Sequence, residues 1–199
     1  MKIFIIAVAL LLLIVVLLQS FTFMTTNKTE EQKYTVVHQY PDFQIRFYPA
    51  ATIATINSKA KTYKELSGPG FRKLAGYIFG GNENSSKIAM TTPVHMDINE
   101  ASSSMSFVMP SGYEESTLPK PNDPNVLIKK TEPEYVAALR FGGFASDKEL
   151  RFYSEKLQAL LKEKGITAKG HYRFLGYNPP YQLIGRRNEI IVAVDWKEK

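Results

Sequence analysis

The chain has 199 residues, 44% of them apolar, a formal net charge of +6 and no cysteine. The absence of cysteine excludes disulfides, thiolate catalysis, Cys-ligated metals and an acylated lipoprotein terminus. The cations are scattered among carboxylates and no nucleic-acid-binding module is recognisable, so nucleic acid is not an expected partner, whereas anionic lipid headgroups suit the charge.

The first element is an apolar run of sixteen residues, 3–18, fourteen of them Ile, Leu, Val or Phe. At about 0.3–0.6 kcal/mol each near the bilayer centre, they favour insertion by roughly 4–8 kcal/mol. Phe21, Phe23 and Met24 extend the run to about the twenty residues that a span requires. Residues 1–24 therefore read as an N-terminal membrane anchor. A cleaved secretory signal is the alternative, although no small-x-small site follows Leu18. Lys2 precedes the run, and Lys28 is followed by Glu30 and Glu31. This bias puts the N-terminus inside and the domain on the non-cytoplasmic side; cleavage would instead give a secreted or periplasmic domain. Residues 25–33 read as a polar tether, and residues 34–199 as one domain long enough for a sizeable core.

A hairpin opens that domain, with strands 34–39 and 43–48 about a turn at Pro41-Asp42. Two units of the order β-α-β-β follow. The first comprises strand 52–58, helix 63–79 and strands 87–98 and 105–109. The second comprises strand 135–141, helix 147–164 and strands 171–176 and 189–196. The strands rest on period-two alternation. In 87–98, Ile88, Met90, Val94, Met96 and Ile98 share one face, and Ala89, Thr91, Pro93, His95 and Asp97 the other. Such one-sided patterning belongs to antiparallel sheet. Pro93 has no N–H to donate, so it belongs at an edge or a bulge.

Leu150, Tyr153, Leu157, Leu160 and Leu161 stripe the second helix, which Ser146-Asp147 caps and Gly165 closes. Phe71, Leu74, Ala75 and Ile78 stripe the first, whose regular part is expected to start near Pro69 after a break at 67–70. The expected fold is α+β: a distorted antiparallel β-barrel built from a duplicated β-α-β-β unit, with two flanking helices and the N-terminal transmembrane helix.

No HExxH, nucleophile elbow, P-loop or Rossmann glycine pattern occurs, so neither catalytic residues nor a metal site are assigned. The three histidines are widely spread. His95 reads as an exposed strand histidine beside Asp97, and Glu114-Glu115 as solvated surface. Arg186-Arg187-Asn188-Glu189 is the densest polar cluster. It is either a loop pinned by Arg–carboxylate pairing or a clamp for a ligand carboxylate, which guanidinium binds bidentately. Met90, Met96, Met105 and Met109 gather in neighbouring strands, as core or as adaptable lining for a flat apolar ligand.

The blocks FRKLAGYIFGGN, KIAMTTPV, MSFVMPSGY, LPKPND, RFGGF, GYNPP and GRRNEIIV occur in that order. Over about residues 34–196 the chain resembles the SOUL, or haem-binding protein, family. The resemblance implies a distorted barrel flanked by two helices, a fold similar to bacterial effector-binding domains that accept apolar cations and drugs. It also implies reversible binding of haem or another tetrapyrrole without catalysis. Carried over, the binding surface is Phe71, Leu74, Ala75 and Ile78 with Met90, in a concavity between the first domain helix and the sheet. Arg72, Lys73 and Lys87, with Arg186 and Arg187, are the candidate partners for ligand carboxylates. Some members have basic residues where Gly68, Gly76 and Gln182 stand here. His95 is the alternative axial ligand. The expected function is thus a membrane-tethered haem or porphyrin binder. The alternatives are a module for another amphipathic small molecule or lipid, and an enzyme acting on a tetrapyrrole or small ester.

Overall fold

A computed structural model describes residues 1–197; the expected domain end at Lys199 lies outside the described residues. In chain order the elements are α1 (Lys2–Lys28), β1 (Glu30–Glu31), β2 (Thr35–Gln39), β3 (Gln44–Tyr48), β4 (Thr52–Ser58), α2 (Tyr63–Ile78), β5 (Thr91–Thr92), β6 (Val94–Asp97), β7 (Ser103–Val108), β8 (Leu127–Lys130), β9 (Glu134–Phe141), α3 (Asp147–Glu163), β10 (Ala168–Gly176) and β11 (Asn188–Val194). Within α1, Phe4–Thr22 is long and apolar enough to cross a membrane, and residues 4–18 are exposed throughout. The expected polar tether is more structured than its composition suggests. Its first part continues α1, and β1 pairs in parallel with β5.

Nine of the described strands form one antiparallel sheet in the order β2-β3-β9-β11-β10-β6-β7-β4-β8. Both β-α-β-β units are present. Each lays down three neighbouring strands in the order first, third, second: β4-β7-β6 and β9-β11-β10. The units meet through their second strands, where Phe174 lies opposite Met96 and Leu175 opposite His95. The six strands are therefore arranged about an approximate two-fold axis between β6 and β10.

The sheet does not close into the expected barrel, because nothing pairs β2 with β8. Both edges are blunted. β8 is four residues long and ends in Lys129 and Lys130, and β2 carries an irregularity between Val36 and His38. Short, charged or bulged strands end a sheet without inviting another. The expected strand 87–98 is also broken. Pro93 splits it into β5 and β6, and Lys87 makes only an isolated bridge to Phe79.

Both domain helices lie on one face, because Leu66, Leu74, Tyr77 and Ile78 of α2 and Leu157 and Leu161 of α3 share one core with Ile56, Met105, Phe107, Leu139 and Ile190. The alternate strand residues, Tyr48, Val136, Ala138, Leu175 and Ile191, build a smaller cluster on the opposite face. α2 has no break at 67–70 and runs unbroken from Tyr63, with Pro69 inside it. The first turn is strongly capped. Thr62 accepts from the Glu65 N–H at 3.2 Å, and the Glu65 carboxylate accepts from the Lys61 N–H at 2.9 Å. Pro69 forfeits one helical bond, but Gly68 and Gly70 on either side bring no Cβ to crowd it. Gly70 is also where α2 meets the sheet: an added Cβ would lie 3.1 Å from Met105 Cε and 3.3 Å from Ile56 Cδ1.

The Asp147 carboxylate ties the two units together. It begins α3, yet it accepts from the Tyr63 N–H of α2 at 2.6 Å. Asp147→Ala orphans that donor and should destabilise the fold by about 1–2 kcal/mol in urea unfolding, with Asp147→Asn recovering most of the loss.

Candidate functional site

The expected ligand surface on α2 does not stand open. Leu74, Ala75 and Ile78 are core residues. Phe71 is half-buried, its ring 5.3 Å from that of Phe107, and Met90 is half-buried against the same core. The space between α2 and the sheet is therefore filled by the protein's own side chains, as the crowding at Gly70 requires. Arg72 and Lys73 are exposed on the outer side of the helix. Met96, Met105 and Met109 are buried core.

The two arginines of the polar cluster are committed within the chain. The Arg186 guanidinium donates to the carbonyls of Pro179 and Gln182, both at 2.7 Å, and lies 4.5 Å from the Phe144 ring centroid. Arg187 donates to Glu189 at 3.0 Å, pairs with Glu31 and stacks 3.8 Å from the Tyr177 ring centroid. The centre of this network is Glu189, which is wholly buried. Arg46 grips it bidentately at 2.7 and 3.1 Å, and the Tyr177 hydroxyl donates to it at 2.8 Å. Burial by itself would raise the Glu189 pKa. The Arg46 hydrogen bond and charge, then the Arg187 charge, outweigh burial and hold the carboxyl below its ordinary value. Burial pushes the neighbouring Tyr48 hydroxyl up to about 12. Pinning by carboxylates describes Arg187, and pinning by carbonyls describes Arg186.

His95 is not the exposed imidazole its polar strand face suggested. It is half-buried, with Nε2 2.7 Å from the Gln32 Oε1, so the connector that carries β1 covers it. An amide oxygen only accepts, so Nε2 carries the proton. Desolvation, then the nearby Arg173 charge, pushes His95 down to about 3.

An open cleft of about 400 Å³ lies instead between α3 and the Lys61-Thr62 segment that leads into α2, above the central strands. Met96 of β6 and Phe174 of β10, opposite one another in register, form its floor together with Ile98, Leu150 and Ile190. Lys61, Arg151 and the exposed His171 stand on its walls, and Asp147 lies between the helix starts. The cleft is a product of the repeat: α3 of one unit and the entry to α2 of the other leave a gap above the strands where the units join. An apolar floor with a few convergent polar groups is the usual form of a small-molecule site. Sequence reading missed Lys61 and Arg151, which stand 90 positions apart. The available signal was the equivalence of the two helix starts, Thr62-x-x-Glu65 and Ser146-x-x-Glu149, each an N-cap followed three residues later by Glu.

Comparison with known proteins bears on the whole domain. A family model described as SOUL heme-binding protein matches residues 29–193. Heme-binding protein 1 of Xenopus laevis is 27% identical over 155 residues, 74% of this chain and 81% of its own length. Heme-binding protein 2 of Mus musculus is 29% identical over 156 residues, 74% of this chain and 76% of its own. Among solved structures, a hydrolase from Listeria innocua aligns with a TM-score of 0.55 at 10% identity, over 80% of this chain and 94% of its own. The EcmrR C-terminal domain aligns with a TM-score of 0.53 at 12% identity, over 81% and 98%. At such identities the likeness is one of fold alone. The family match, in contrast, runs through both β-α-β-β units and the connector, and the chain belongs to the SOUL haem-binding protein family.

Proposed function

We propose that this chain binds haem or a related tetrapyrrole reversibly and without catalysis, in the cleft between α3 and the entry to α2, while α1 holds the domain at a membrane. The supporting observation is the cleft itself, an apolar floor with cationic walls, in a chain whose relatives are named for haem binding. The residues fit the group. The half-buried Ile98, Leu150 and Tyr172 would lie against the ring over a base of Met96 and Phe174, Lys61 and Arg151 would meet the propionates, and the His171 imidazole would face the iron. Bound haem would supply its own ligand and redox chemistry. The chain would orient the ring and shield one face from water. Residues 1–24 would serve as the anchor, with the domain from residue 34 onward on the non-cytoplasmic side. Arg72 and Lys73, with Phe71 and Met90, form the rival surface that the family resemblance implies.

The test is titration with haemin and with iron-free protoporphyrin. Both should bind. Lys61→Ala with Arg151→Ala should weaken both about 5–30-fold, since partly exposed ion pairs contribute roughly 0.5–1 kcal/mol each. Arg72→Ala with Lys73→Ala should change neither. His171→Ala should alter the haemin absorption band and leave protoporphyrin binding intact. The reading fails if neither compound changes absorbance or tryptophan emission up to about 50 μM, a free energy near 6 kcal/mol.

A further inference from the structure

The loop between β10 and β11, residues 177–187, is built unlike an ordinary solvent loop. Tyr181, Leu183 and Ile184 are 65%, 53% and 77% exposed, and Phe144 beside them is 54% exposed. Nothing in the haem-binding reading uses these side chains. The loop is nevertheless held in one shape. Arg186 donates to the carbonyls of Pro179 and Gln182 from inside it, and its guanidinium lies over the Phe144 ring. The Gln182 amide donates to the Ile184 carbonyl at 3.0 Å, and Asn178 donates to the Gln182 side chain at 3.0 Å. A loop tied internally by so many polar groups holds its apolar side chains outward.

The position of the loop identifies what covers it. Gln19 of α1 uses both ends of its amide on this loop: it donates to the Tyr181 carbonyl at 3.1 Å and accepts from the Leu183 N–H at 2.9 Å. Gln19 lies inside the Phe4–Thr22 segment, near its C-terminal end. The backbone of 181–183 is therefore level with the last turn of the apolar helix. If α1 crosses a bilayer, the loop is carried to the same depth. The backbone groups nearest the helix are satisfied by Gln19, which is what lipid demands of any polar group it surrounds.

We propose that the 177–187 loop is a second membrane contact. In this arrangement Tyr181, Leu183, Ile184 and Phe144 insert about 5–10 Å into the boundary between headgroups and acyl chains beside α1. The occupant is the lipid of the bilayer that α1 enters. Tyrosine and aliphatic side chains suit that boundary, with the phenol at headgroup level. Two contacts, one spanning and one interfacial, would fix the orientation of the domain against the membrane, where a lone helix on a polar tether would let it swing. This inference rests on the reading of α1 as an anchor, and the experiment separates the two.

The chain contains no cysteine, so single-cysteine variants of the full-length protein label at one place. Three are needed: Ile184→Cys in the loop, Leu12→Cys in the middle of α1, and Lys164→Cys, exposed at the C-cap of α3. Each carries an environment-sensitive fluorophore in vesicles of phosphatidylcholine with a minority of phosphatidylglycerol. The proposal expects the label at 184 to be blue-shifted, quenched by a spin label near the top of the acyl chains, and several-fold less accessible to aqueous iodide than the label at 164. If position 12 is quenched by a deep lipid spin label while 184 is as open to iodide as 164, the loop contact is overturned and the anchor stands. If position 12 is not quenched and the protein does not float with vesicles, both are overturned.

Discussion

Replacing Arg46 with alanine is expected to cost about 3–5 kcal/mol of folding stability, read as a fall in the urea midpoint of the detergent-solubilised protein. The carboxylate of Glu189 is wholly buried on the sheet face away from the helices, and Arg46 meets it with two hydrogen bonds at 2.7 and 3.1 Å. The Arg46 guanidinium also lies 4.2 Å from the Tyr34 ring centroid, so its removal empties space and strands a charge. Arg187 and Tyr177 still reach Glu189 but satisfy only part of it. The carboxyl then escapes the penalty by holding its proton, so acid unfolding of the variant should begin at a higher pH than in the unaltered chain. Arg46→Met combined with Glu189→Leu should recover part of the loss, because the stranded charge goes with it. A cost below about 1 kcal/mol for Arg46→Ala would show that water reaches Glu189.

The protein should also lose about 2 kcal/mol of stability between pH 7 and pH 5 through His95 alone. Inside the fold this imidazole is pushed down to about 3, by burial first and then by Arg173. In the unfolded chain it titrates near 6.5. Between those values the unfolded state binds the extra proton and the folded state does not. Stability therefore falls as the pH drops through 6.5 and continues to fall toward 3. The carboxyls of Glu189 and Glu30 are held below their ordinary values, so their contributions disappear only at lower pH. His95→Gln keeps a donor for Gln32 and removes the titration. Its unfolding free energy should be nearly flat from pH 7 to 5, and an unchanged slope in that variant would assign the effect to another group. A protonated His95 would also face the Arg173 charge, while its Nε2–H would still donate to Gln32.

Much of the architecture was legible because it rests on local patterning. The two β-α-β-β units, the stripe of Leu157 and Leu161, the N-cap at Ser146 and the C′ glycine at 165 each follow from period and end chemistry. The errors have equally local causes. Pro69 signals a helix start, but Thr62, Glu65 and Asp147 cap the true start two turns earlier, and Asp147 is distant in sequence. β1 and β8 are not legible in the sequence because Glu30–Glu31 and Leu127–Lys130 are too short to show alternation and become strands only through their partners.

The candidate site was far less legible. The apolar stripe of α2 shows that one side of the helix is covered but not what covers it. The sheet covers it, and Leu74 and Ile78 are core. Arg186 and Arg187 advertise anion binding in the sequence, yet their counterparts turn out to be loop carbonyls, Glu189 and Glu31. By itself the sequence determined family, repeat, apolar N-terminal helix and the alternation that sorts each strand into two faces, since these depend on neighbours a few residues apart. Only the tertiary structure decided that the sheet stays open, that Lys61 and Arg151 share a cleft over the Phe174–Met96 pair, and that Gln19 meets Tyr181 and Leu183. Those facts depend on register and on contacts between distant segments, which no local period encodes.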